Sequence, residues 1–169
     1  MNFQEGEMEL TDLMPIEKCR QLAEDIYTRF GFNGAVYDKN NNVVVQSEGW
    51  ANKICPAIKS GDSRIICASA QQRLSKIAQG KREPAAGDCE IGLVKFVVPI
   101  FVNDEFVGSV GGCGCVLEDS EVDEFYIGKL LKKEEGETEG LLTTVQNISQ
   151  DKLEEAIRYV QKKVKDSLN

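Results

Sequence analysis

The 169-residue chain contains no histidine. Without an imidazole there is no hydrolase triad of the usual kind, no histidine-bound zinc and no histidine-ligated haem. Positive charge is also scarce, with 28 Asp and Glu against 20 Lys and Arg, a net charge of −8. That balance argues against a nucleic-acid surface, because a polyanion would be repelled. No apolar run approaches the roughly 18 residues that span a bilayer. The opening MNFQEGEMELTDLMP carries acids where a secretory leader carries bases. These absences point to a cytoplasmic protein with neither nucleic acid nor membrane as a direct partner.

Cysteine, by contrast, is plentiful. Five of the six lie between Cys55 and Cys115. In a reducing compartment such a set suggests metal binding or redox chemistry more than a disulfide framework. Cys55, Cys67, Cys89, Cys113 and Cys115 are therefore the candidate metal ligands. Their spacing has no paired C-x2-C knuckles, so separate elements would have to gather them. All-sulfur ligation suits zinc or an iron–sulfur cluster better than magnesium or calcium. Gly111, Gly112 and Gly114 flank Cys113 and leave room for a bulky group, which favours a 4Fe–4S cluster over zinc. In an extended strand Cys113 and Cys115 would share a face, so either could ligate. Two other readings stay open: reduced cysteines that touch a ligand with no cofactor, and a thiol–disulfide switch. Cys19 lies on a helical apolar stripe and is read as core.

The pattern along the chain predicts an α+β fold, an antiparallel sheet with helices packed on it. Residues 1–14 read as a loose acidic lead-in and 15–169 as one domain. Pro15 opens a helix whose stripe is Ile16, Cys19, Ala23, Ile26 and Phe30, closed by Gly31. Residues 34–46 read as a β-hairpin turning at 38–42. Asp62 or Ser63 caps a helix with Ile66, Ala70, Leu74 and Ile77 on one face, ending at Gly80. Cys67 sits in its first turn, where free N–H groups would favour a thiolate. Residues 93–102 and 106–116 form a second hairpin, with Pro99 marking an edge-like or bulged position. A helix runs from a Ser120 cap to Leu131, and 132–140 reads as a charged loop. The last helix opens near Ser149 and carries Leu153, Ile157, Val160, Val164 and Leu168 on one stripe. That stripe either packs on its own domain or joins a homodimer.

The stretch from about Leu22 to Leu117 resembles the PocR sensory domain, a PAS/GAF-like ligand-binding fold. The resemblance rests on GAVYDKNNNVVVQ, on ICPAIKS with Cys55, on RIIC with Cys67, and on DCEIGLVKFVVPIFVNDEFVGSVGGC with Cys89. Pro99 and Gly111-Gly112 also match. The family's His after the third cysteine is Glu90 here, its Gln after the double glycine is Cys113, and Cys115 is additional. The resemblance implies a sensory module rather than an enzyme, with extra N- and C-terminal helices around the shared core. It also implies small hydrocarbon derivatives as ligands and a signalling partner protein as the output of a stand-alone domain. In such folds sheet and helices enclose a pocket, for which Tyr37, Trp50, Phe96 and Val98 are candidate linings and Glu90 a polar handle. An alternative is a small redox or electron-transfer protein built on the same cysteines. No residue supplies a tuned general base, which argues against catalysis.

Overall fold

Alternating apolar residues between turn-forming ones build a central antiparallel sheet. The structure, a computed structural model, describes residues 8–168. Chain order begins with α1 (Leu10–Leu13), α2 (Ile16–Phe30), β1 (Asn33–Asp38) and β2 (Val43–Gln46). It continues with α3 (Ile54–Ser60), α4 (Ile65–Lys81), β3 (Ala85–Asp88), β4 (Val94–Val102) and β5 (Glu105–Leu117). It closes with α5 (Glu124–Leu131), α6 (Glu135–Leu142), β6 (Asn147–Ile148) and α7 (Gln150–Ser167). The antiparallel strands lie in the order β2-β1-β5-β4-β3, and β6 pairs in parallel with the end of β5. This is the α+β arrangement that the periodicity predicts. No described helix is long and apolar enough to cross a membrane.

Helices cover both faces of the sheet. On one face Phe96, Val98 and Ile100 of β4 and Val110 of β5 join Ile26 of α2 and Val160 of α7 in the main core. Phe30 and Tyr159 meet edge-on at 5.5 Å, and the Tyr159 hydroxyl donates to Asp25, which ties α7 to α2. The α7 stripe is thus spent inside the domain: Leu153, Ala156, Val160 and Val164 are all buried there. On the opposite face α4 packs Leu74 and Ala78 against Val97. A third cluster joins Ile54 and Ile58 of α3 to Ile127 of α5.

Several expectations need correction. The lead-in over 1–14 lies partly outside the described residues, but its described part is packed: Leu10 and Met14 are 2% and 0% exposed. The charged stretch after Leu131 is not all loop, because α6 forms within it. The helix expected from Ser120 starts later, where the Asp123 side chain accepts from the Tyr126 N–H. Two elements come in addition to those expected, α3 around Cys55 and the edge strand β3. Pro99 behaves as its missing N–H requires: β3 pairs only with residues 94–97 of β4, so Pro99 lies beyond the outer ladder.

Candidate functional site

Between the sheet and the α3/α4 layer lies a small cavity of about 40 Å³. Its floor is Tyr37 of β1, Lys95 of β4 and Cys113 of β5. Its roof is Cys55, Ile58 and Lys59 of α3 with Ile66, Cys67 and Ala70 of α4. Cys89, Ile91 and Leu93 close one side. Four cysteines far apart in the chain therefore surround one space.

Local hydrogen bonds explain the placement. The Asn52 Oδ1 accepts from the N–H groups of Ile54 and Cys55, each at 2.8 Å, and so starts α3. The same side chain donates from Nδ2 to the Gly114 carbonyl at 2.7 Å and to the Cys55 Sγ at 3.3 Å. Asn33 accepts from the Ala51 N–H at 2.7 Å and reaches the Cys113 Sγ at 3.8 Å. Both asparagines thus clamp the segment before α3 onto β5. Cys89 is set by a tight turn in which its N–H bonds the Leu93 carbonyl and Gly92 takes φ +92°.

Burial favours the neutral thiol at three of the four cysteines, Cys55, Cys67 and Cys89. Burial, aided by the nearby Cys113 sulfur, pushes Cys55 up to about 12. Burial also raises Cys67 and Cys89, although Lys59 pulls Cys67 back and backbone N–H groups pull Cys89 back. Cys67 sits in the first turn of α4, yet burial moves its thiol upward.

Lys95 brings the one basic side chain to the floor. It is 5% exposed, in a position where an ammonium is costly to bury. Its Nζ donates to the Tyr37 hydroxyl at 3.3 Å and stands 5.1 Å from that ring's centroid. Burial is the largest influence and lowers its affinity for protons; the charges that Tyr37, Cys113 and Cys67 carry once ionised, with the hydrogen bond to the Tyr37 oxygen, turn the net direction upward. No carboxylate lines the cavity, although Lys59 does.

Not every candidate reaches this space. Cys115 lies on the other face, fully buried in the main core, where its Sγ donates to the Gly31 carbonyl. The cause is a β-bulge: Val94 pairs with Cys115 and Lys95 with Cys113, so Gly114 is the unpaired extra residue. The two-residue period fails there, and Cys113 and Cys115 point apart. Phe96 and Val98 belong to the main core with Phe32, not to the cavity. Trp50 is 36% exposed, stacked under the Lys59 ammonium outside the cavity. Glu90 is exposed and accepts from the Tyr126 hydroxyl at 2.7 Å. Only Tyr37, of the five pocket candidates, lines the cavity. The space beside Gly112 is filled by Phe96, Phe32 and Ile26, and that beside Gly114 by Asn33 and Ala51.

Among the described residues no group of three His, Cys, Asp or Glu is placed to hold a metal ion. Lys95 and Asn52 escaped the sequence reading. A lysine inside the apolar run LVKFVVPIFV was the signal for the first. An asparagine two residues before a helix was the signal for the second.

Residues 12–166 match the family described as the sensory domain found in PocR. A search of curated proteins finds no match. Among solved structures, an IclR homolog from Microbacterium hydrocarbonoxydans, complexed with 4-hydroxybenzoate, is distantly similar. The alignment covers 90% of this chain and 70% of that chain, at 11% identity and a TM-score of 0.35.

Proposed function

Because the chain belongs to the PocR sensory-domain family, we propose that it is a sensor whose input is a small molecule held between the sheet and α3/α4. The family implies a signalling rather than a catalytic role, so the output is a contact with a partner protein. One observation carries the reading: the floor of the cavity holds a buried lysine ammonium whose side-chain hydrogen bond is a single one, to the Tyr37 hydroxyl. Native proteins seldom leave such a group so poorly matched, and a ligand would complete it.

The test is a thermal-shift screen of small acids, alcohols and diols on wild type and on Ala70→Leu, which fills the cavity. At least one compound should raise the wild-type midpoint and leave the filled variant unmoved. A shift that survives Ala70→Leu, or no shift with any compound, would overturn the reading.

A second reading rests on the four thiols that surround the cavity. A tetrathiolate zinc or iron–sulfur centre is negatively charged, and Lys95 would complement it. For this the thiols would have to ionise and turn inward, and the space would have to widen. Anaerobic purification with metal analysis separates the two: stoichiometric zinc or iron supports the centre, and metal-free protein that binds a screened compound supports the small-molecule sensor.

A further inference from the structure

The same hydrogen bond that ties Lys95 to Tyr37 also fixes what the pair can recognise. An ammonium has three donors and no acceptor. One of them goes to the Tyr37 oxygen at 3.3 Å. The phenol therefore acts as acceptor toward Lys95, and its own hydrogen is left to donate elsewhere. Among the described residues it has no acceptor. An ammonium and a phenolic hydroxyl thus stand side by side at the floor of the cavity, with two N–H bonds of Lys95 still to be used.

Around them the walls change character. Ile58, Ile66, Ala70, Ile91 and Leu93 supply aliphatic surface. A second cation, Lys59, is half-buried at the rim, with its Nζ 5.4 Å from the Trp50 ring centroid. In a chain of net charge −8, a cavity lined by two lysines and no acid is the local reverse of the whole. The space of about 40 Å³ holds only a few non-hydrogen atoms. A phosphate or sulfate would need donors on every side, whereas the donors here lie at the floor and the rim.

We propose that the ligand is a short-chain carboxylate, its two oxygens taken by Lys95 Nζ and Tyr37 Oη and its alkyl end set against Ile58, Ile91 and Leu93. This rests on the cavity being the ligand site and names the chemistry that site selects. Lys59 would draw the anion toward the rim, since a single-signed cleft raises the local concentration of its counter-ion.

The experiment is titration calorimetry with acetate and propionate against acetamide, propionamide, ethanol and 1-propanol, at constant ionic strength set by chloride. Wild type should bind the acids more tightly than the amides and alcohols of the same shape by roughly 10- to 100-fold, the worth of a hydrogen bond to a charged group. Lys95→Met should erase that preference, and Tyr37→Phe, which removes one hydroxyl, should narrow it while circular dichroism stays unchanged. If amides and alcohols bind wild type as tightly as the acids, the carboxylate proposal fails and the ligand cavity stands. If the acids bind but ignore both substitutions, they bind elsewhere and the proposal fails. If none of the six compounds binds, the proposal fails while other ligand classes remain for the cavity.

Discussion

Lys95 is buried with one side-chain hydrogen bond, and an apolar side chain of the same length removes that bond together with the cost of taking an ammonium out of water. Lys95→Met is expected to leave stability unchanged or raise it by up to about 3 kcal/mol in urea denaturation, in the way buried charges yield to hydrophobes. A clear loss of stability would mean that the ammonium is better satisfied than a single phenol allows. Cys115 gives a pH prediction. Burial, reinforced by Cys113, moves its thiol from the ordinary 9.0 up to about 12. The folded state therefore keeps this proton after the unfolded chain has lost it. Its contribution is fully present below pH 9.0 and drains away as pH rises toward about 12. Cys115→Val should flatten the alkaline limb of stability against pH. An unchanged limb in denaturation at pH 8 to 11 would refute the assignment.

At the scale of elements the bulge in β5 is the decisive detail. Gly114 takes φ +101°, and a Cβ there would press on the Asn33 amide and Ala51. Gly114→Ala should cost about 1–3 kcal/mol, the usual cost of a strained backbone position. Asn52→Ala should cost a similar amount, because buried N–H and C=O groups lose their partner. Both are read from chemical denaturation. Most elements were legible because periods of two and 3.6 survive in the residues: α2, both hairpins, α4 and α7 follow their apolar stripes. α3 was hidden by Pro56 and by a cap made from a side chain two residues upstream. α6 was hidden because it fully buries only Thr138 and its two leucines, Leu141 and Leu142, come at its very end. The grouping of Cys55, Cys67, Cys89 and Cys113 depended on the fold rather than on spacing. The separation of Cys113 from Cys115 depended on one unpaired residue, which no periodicity reports.

For the molecule as a whole, α7 closes the main core that α2 begins. Leu153 is 2% exposed there, and Leu153→Ala should lower stability by about 2–5 kcal/mol. A thermal melt would show this as a loss of one cooperative transition's midpoint, not as a separate transition for a detached helix. Because the helix uses its apolar stripe internally, that stripe is not free to pair with a second copy. The sequence showed the sheet and its helical cover, but it did not show which face would hold the chemistry. Phe96, Val98 and Lys95 are neighbours in one strand, and only the packing of α3 and α4 makes Lys95's side the hollow one.

Gly114 is also a pivot. Cys113 borders the hollow, while Cys115, one step beyond the kink, grips the carbonyl of Gly31 at the close of α2. A tilt imposed on the first sulfur would reach the second through a single residue, and so would cross from one layer to the other without any helix sliding. Filling the hollow should therefore slow amide exchange at the C-terminal turn of α2, in residues that touch nothing bound; exchange that changes only in α3 and α4 would mean the sheet insulates its two sides.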